Sequence, residues 1–190
     1  MRDQTKIRLR VLAQPLVRLL LALRVPPNAV TIAGLALSIA VGLLLGQGRF
    51  FAAGIVLLLA GLSDTVDGEL ARQSNRPSSR GAFLDSTLDR ISEFAVFFGL
   101  FWFLRRSPGT AALVFATLFA SFAVSYVRAR AEGIGIDCKI GIFERPVRFL
   151  FLVLGIFFNR YLSYALWIIL AGAAFTTVQR ILAVLQMKKD

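Results

Sequence analysis

From residue 28 onward the chain is a succession of long apolar runs broken by short polar connections. Residues 28–47, 51–72, 82–104, 109–131, 146–159 and 162–186 each read as a helix that is apolar around most of its circumference, the pattern of a segment surrounded by lipid or by other helices. Pro27-Asn28 opens the first run and Gly46-Gln47-Gly48 closes it, while Arg105-Arg106 ends the third. The longer runs reach the roughly 20 residues needed to cross a hydrocarbon core; the fifth does so only if it begins inside the basic loop before it. Residues 5–24 differ. Lys6, Arg10, Gln14 and Arg18 recur every fourth position and make one polar stripe, with Ile7, Leu12, Leu16, Leu19 and Leu23 elsewhere around the helix. That is the pattern of a helix lying in the membrane interface among anionic headgroups. A signal peptide is the rival, but Arg18 interrupts the apolar stretch and Pro26-Pro27 stands where a small-residue cleavage site would be. The expected fold is all-α and integral to a membrane: one domain over residues 1–190, an interfacial helix followed by six transmembrane helices over 28–186, with no internal repeat.

Composition agrees with a bilayer as solvent: 57% of the residues are apolar and the mean hydropathy is +0.71. The net charge of +11 admits nucleic acid, anionic lipid or a phosphorylated substrate, and bases bordering apolar spans favour the last two over nucleic acid. With six spans, both termini and the second-to-third and fourth-to-fifth connections share one side, which then holds 18 of the 22 Lys and Arg residues and every acidic residue. The positive-inside rule makes that side cytoplasmic, so the protein is expected in the cell membrane with its chemistry facing the cytoplasm. Histidine is absent, leaving proton transfer to a carboxylate, lysine, tyrosine or thiol. Cys138 is the single cysteine, so no internal disulfide forms; it reads as a small buried or loop residue.

The end of the second span carries Asp64 and Asp67, and the start of the third carries Asp85, Asp89 and Glu93. Four aspartates on two adjacent helix ends are costly at membrane depth unless something positive sits among them, and carboxylate-rich sites suit hard cations such as Mg²⁺ or Mn²⁺. Asp64 and Asp67, at i and i+3, share a helix face; Gly81, Asp85 and Asp89, at i, i+4 and i+8, form one stripe. If the helices pack antiparallel, both sets point into one cleft, where Gly68 and Gly81 let a phosphate or the facing helix approach closely. Arg72, about one turn beyond Asp67, is placed to neutralise a ligand phosphate. The plainer account is local ion pairing, Asp67 and Glu69 with Arg72 and Asp85 with Arg80 or Arg90, which explains one such residue better than four.

The pattern Asp64-x2-Asp67-Gly68-x2-Ala71-Arg72-x8-Gly81-x3-Asp85-x3-Asp89 resembles the full motif of the CDP-alcohol phosphotransferase family, with all eight fixed positions at the family's spacing. The six-span layout with a leading interfacial helix is similar to that family over nearly the whole chain, and Pro27-Asn28-x-Val30-Thr31 looks like its usual opening of the first span. The resemblance implies two divalent ions, Mg²⁺ or Mn²⁺, held by Asp64, Asp67, Asp85 and Asp89, with Asp89 as general base on an acceptor hydroxyl. It implies a CDP-linked lipid as donor, bound by Asp64, Gly68, Ala71, Arg72 and Gly81, and a small polar alcohol as acceptor. A homodimer packed through small residues and phenylalanines of the third and fourth spans is also implied. The physics is consistent with these roles: in-line displacement at phosphorus needs charge neutralised on the attacked group and the leaving CMP, and a weakly nucleophilic alcohol needs a carboxylate within reach.

Between the fourth and fifth spans, Arg128, Arg130, Lys139, Arg145 and Arg148 bracket a Gly-rich turn. They suit a pocket for a phosphorylated acceptor, since arginine grips phosphate oxygens in pairs. Pairing of Arg128 with Glu132 and Glu144 with Arg148, both i, i+4, together with positive-inside topology, explains them as well. The surrounding Arg-Ala-Arg-Ala-Glu and Glu-Arg-Pro-x-Arg are similar to the family branch that makes phosphatidylinositol phosphate or its archaeal ether counterpart, which implies inositol 1-phosphate as acceptor, ahead of glycerol 3-phosphate and serine. A metal-ion transporter is the alternative of another class, and the missing repeat and one-sided charge weigh against it.

Overall fold

The computed structural model describes residues 14–73 and 78–186, and every regular element among them is helical. Helix α1 covers residues 14–22, followed by α2 (Pro27–Gly46), α3 (Phe50–Gln73), α4 (Ser79–Leu104), α5 (Pro108–Glu132), α6 (Arg145–Phe157) and α7 (Leu162–Gln186), the last entered through a 3₁₀ turn at Asn159–Tyr161. The chain forms two compact units, one ending at Phe103 and the other beginning at Leu104.

Four segments are long and apolar enough to cross a membrane: Pro27–Gly46, Phe50–Gln73, Pro108–Glu132 and Asn159–Gln186. The third and fifth runs of the sequence are also helices, but they do not meet that standard of length and composition. Helix α4 has 26 residues, long enough, yet Asp85, Asp89, Arg90 and Glu93 fall within it. Helix α6 has 13 residues and spans about 20 Å, short of the roughly 30 Å hydrocarbon thickness. Of the interfacial helix expected over 5–24, residues 5–13 lie outside the described residues; in α1, Leu16 and Leu19 are exposed while Val17 is fully buried, and Leu23, in the turn that follows, is exposed too.

In the first unit α2 and α3 form a hairpin around Gly48. Gly48 has φ +76°; its N–H donates to the Leu45 carbonyl at 2.9 Å and the Arg49 N–H to Leu44 at 2.9 Å, the paired bonds of a left-handed helix stop. Helix α5 ends the same way at Gly135, with Gly135 N–H to Glu132 and Ile136 N–H to Ala131. Helix α1 ends so at Arg24, which holds φ 55° although it is not glycine. Pro26-Pro27 then starts α2, where a missing N–H costs nothing. Val17 packs on Val66 and Leu70, with Leu20, Leu21 and Val30 at its edges, so α1 braces the end of α3 that carries Asp67.

Helices α2 and α4 meet backbone to backbone. A Cβ at Gly99 would lie 2.2 Å from the Gly42 carbonyl oxygen, and one at Gly42 would lie 2.3 Å from that of Ala95. Neither carbonyl can move without breaking its helix. Gly99→Val is therefore expected to destabilise the fold by about 3 kcal/mol or more, against less than about 1 kcal/mol for a valine at the open position Gly109; thermal unfolding in detergent compares them directly. The crossing fixes the first turn of α2 beside the start of α4.

In the second unit α7 packs against α5 and α6. Thr117 and Thr176 are fully buried, Thr117 donating to its own helix at Leu113 (2.7 Å), so neither hydroxyl costs α5 or α7 its burial. The 140–143 loop is fastened along one stripe of α7. The Phe143 ring lies where a Cβ on Gly172 would sit, the Phe143 N–H donates to Thr176 Oγ1 (3.0 Å), and Arg180 Nε donates to the Ile140 carbonyl (2.7 Å). Arg180 also donates from a terminal nitrogen to the Val124 carbonyl at 2.8 Å, tying α5 to the same stripe.

Candidate active site

A cleft of about 510 Å³ opens in the first unit where three helix ends meet. Pro26, Pro27, Asn28 and Thr31 line it from the start of α2, Asp67, Gly68 and Ala71 from the end of α3, and Ser78, Gly81, Ala82 and Asp85 from the start of α4. Local chemistry aims these residues. On α3 the Ser63 and Thr65 hydroxyls turn back onto the carbonyls of Leu59 (3.1 Å) and Gly61 (3.4 Å), as polar side chains within an apolar helix commonly do. At α4 the Ser78 hydroxyl accepts the Gly81 N–H at 2.9 Å, an N-cap that begins the helix at the cleft wall.

Asp67 is the central group. It is 5% exposed, and its Oδ2 is buried without a hydrogen-bond partner. Thr31 faces the carboxylate, and Asp85 and Asp64 are near enough for their charges to act on it. A buried, partnerless carboxylate oxygen beside further carboxylates is unfavourable by itself and chemically suited to a hard cation with oxygen ligands. The residues thus fit a divalent metal.

The four motif aspartates are not all gathered equally. Asp67 and Asp85 line the cleft; Asp64 and Asp89 stand about one turn further along their helices and do not. Among the described residues no three acidic, histidine or cysteine side chains already enclose an ion-sized space. Asp89 is 13% exposed at its side chain and pairs with Arg90 across 3.6 Å. Gly68, Ala71 and Gly81 are on the wall as expected. Arg72 is engaged with Glu69, 2.6 Å from its Oε2, and its guanidinium stands over Gly68, 3.8 Å from where a Cβ would be.

The basic residues of the second unit divide by burial. Arg128 pairs with Glu132 at 2.8 Å and Lys139 with Asp137, both at the surface, and Arg130 is exposed. Arg145 is half-buried in the first turn of α6. Arg148 is 3% exposed and donates to the Phe143 carbonyl at 3.0 Å.

A model of the CDP-alcohol phosphatidyltransferase family matches residues 24–179. The chain belongs to the CDP-alcohol phosphatidyltransferase family. Within this family it is similar to the phosphatidylinositol phosphate synthase of Mycobacteroides abscessus, 36% identical over 183 residues that cover 91% of this chain and 83% of that one. It is also similar to the archaetidylinositol phosphate synthase of Methanothermobacter thermautotrophicus, 32% identical over 171 residues covering 86% and 85%. The crystal structure of Mycobacterium tuberculosis phosphatidylinositol phosphate synthase with CDP-DAG bound superposes with a TM-score of 0.85 at 33% identity, covering 92% of this chain and 94% of that one. The same mycobacterial protein in complex with manganese and citrate also gives 0.85, at 34% identity, over 92% and 89%.

Six cleft residues of this phosphatidyltransferase lay outside the site expected from sequence: Pro26, Pro27 and Ala82, and the polar Asn28, Thr31 and Ser78. Asn28 and Thr31 were visible only as the opening of a span. Their spacing of three places both on one face of the first turn of α2, which is the signal that marks them. Arg180 also lay outside the expected site, yet Gly172, Thr176 and Arg180 are spaced i, i+4, i+8 and mark a track on α7.

Proposed function

We propose that this phosphatidyltransferase moves the phosphatidyl group of a CDP-linked lipid onto the hydroxyl of inositol 1-phosphate, releasing CMP. The observation that carries the reading is the buried Asp67 carboxylate opposite Asp85 in a cleft walled by Gly68, Ala71 and Gly81. The names of the relatives support the acceptor.

In this reading Asp64, Asp67, Asp85 and Asp89 hold divalent cations, Mg²⁺ or Mn²⁺, with Asp64 and Asp89 meeting the ions from about one turn beyond the cleft lining. Bound there, two cations supply neutralisation of the pyrophosphate and of the departing CMP oxygen. The wall of Gly68, Ala71 and Gly81 leaves width for the nucleotide, and Arg72 swings from Glu69 to the donor phosphates. Asp89 accepts the acceptor's hydroxyl proton as that oxygen bonds to the lipid phosphorus and the phosphorus–oxygen bond to CMP breaks. Arg128, Arg130, Lys139, Arg145 and Arg148 supply positive charge for the acceptor phosphate, those at the surface after leaving their carboxylate partners.

The lipid chains stay in the bilayer. Helices α4 and α6 complete a six-span bundle, α4 because its charges sit at the cleft end and α6 as a short span of 13 residues. Residues 5–24 lie along the interface, and the basic side faces the cytoplasm. The bundle pairs as a homodimer.

The test is CMP release by purified protein in lipid with Mn²⁺ and CDP-diacylglycerol. Inositol 1-phosphate is expected to drive it, with glycerol 3-phosphate, serine and free inositol at least about tenfold less effective, as befits a site built for a phosphate and several hydroxyls. Equal release with serine would overturn the acceptor, and no CMP with any of them would overturn the reaction.

A further inference from the structure

We infer that Arg90 positions Asp89, by clamping one oxygen of its carboxylate so that the side chain is held in a single orientation. The inference rests on the reading of Asp89 as the general base.

Neighbouring residues on a helix point about 100° apart, so an Arg and an Asp at i and i+1 do not ordinarily meet. Here they do. The Arg90 side chain runs back along α4, as helical side chains lean toward the N-terminus, and one terminal nitrogen donates to the Ser86 carbonyl at 2.6 Å. That bond anchors the guanidinium one turn back, and from there the same nitrogen lies 3.6 Å from Asp89 Oδ2. An exposed arginine on a free stem would gain little by pairing in this way. This one is tethered at its head, and its partner carboxylate is only 13% exposed, so the pair is held in place and weakly screened.

The chemistry explains what the clamp is for. A carboxylate on two rotatable bonds samples several orientations, and only some present an oxygen to an incoming hydroxyl. Holding Oδ2 from one side fixes the carboxylate plane, which is a positioning effect and leaves the substrate's own contacts unchanged. Lysine ends in one compact, freely turning ammonium on a shorter side chain and lacks the guanidinium plane that the Ser86 bond holds in place, so it should restore the charge and only part of the alignment.

The experiment compares Arg90→Ala, Arg90→Lys and Asp89→Asn in the full chain, following CMP release with CDP-diacylglycerol, inositol 1-phosphate and Mn²⁺. Arg90→Ala is expected to lower kcat about tenfold to hundredfold, with KM for both substrates and the Mn²⁺ requirement within about twofold of the wild type. Arg90→Lys should recover part of the loss, and added methylguanidine should raise the turnover of Arg90→Ala but not of Asp89→Asn. A kcat for Arg90→Ala within about twofold of wild type, or a loss that falls wholly in KM, overturns the proposal. So does Arg90→Ala turnover that methylguanidine leaves unchanged while Arg90→Lys equals the wild type. Should Arg90→Ala fail to fold, Arg90→Gln keeps an aliphatic stem and a polar head without the charge or the reach to Asp89 and gives the same split. Full turnover by Asp89→Asn would instead sink the base assignment, whatever Arg90 does.

Discussion

Replacing Asp67 by Asn is expected to abolish Mn²⁺-dependent CMP release and, at the same time, to raise the unfolding temperature of the metal-free protein. The two effects have one cause. Asp67 is nearly fully buried, its Oδ2 has no hydrogen-bond partner, and the charges of Asp85 and Asp64 bear on it. Such a group costs the fold about 1–3 kcal/mol or more. Asparagine keeps the shape and removes the charge, so that cost shrinks; it also removes the ligand best placed to meet a cation. A cation at a hundred times its dissociation constant stabilises the wild type by about 2.7 kcal/mol, and the variant should lose most of that increment. Melting curves of both proteins with and without Mn²⁺ read stability and binding together. A variant that still gains stability from Mn²⁺ and still turns over would remove Asp67 from the metal site.

Asp89→Asn should lower turnover by about 10²–10⁴-fold, the usual contribution of a general base, while the protein continues to bind CDP-diacylglycerol with Mn²⁺. Asp89 stands one turn beyond Asp85, outside the cleft lining, so its loss leaves the donor's walls in place. Equilibrium binding of the lipid and single-turnover CMP release separate the two steps. Retained turnover with lost binding would reverse the assignment, making Asp89 a binding group and not the base.

Much of this was legible in the apolar runs and the aspartate spacing, for physical reasons. A helix in lipid must satisfy its own backbone, so α2, α3, α5 and α7 announce themselves by length and apolarity. The periodicity of 3.6 brings Asp67, Gly68 and Ala71 to one wall and Gly81 and Asp85 to the other. Helix α4 was legible as a helix, but its charges conceal whether it spans. Helix α6 was legible to within two residues, its run of 146–159 against the Arg145–Phe157 found. Pairings between residues distant in sequence were invisible. Nothing local says that Arg180 reaches Ile140 and Val124, or that Arg148, which reads as one more surface base, is buried against the Phe143 carbonyl. The meeting of Gly42 with Gly99 is likewise legible only once α2 and α4 are side by side.

The fastening of residues 140–143 to α7 bears on how a second substrate would be received. A loop free to wander must surrender conformational freedom when it closes on a ligand, and each residue so ordered weakens binding by about 1–2 kcal/mol. Here Thr176, Arg180 and Arg148 have already taken up the loop's backbone groups at Phe143 and Ile140. That ordering is complete when the chain folds, so an anion arriving nearby meets a rigid wall, and its affinity is not diminished by having to build one.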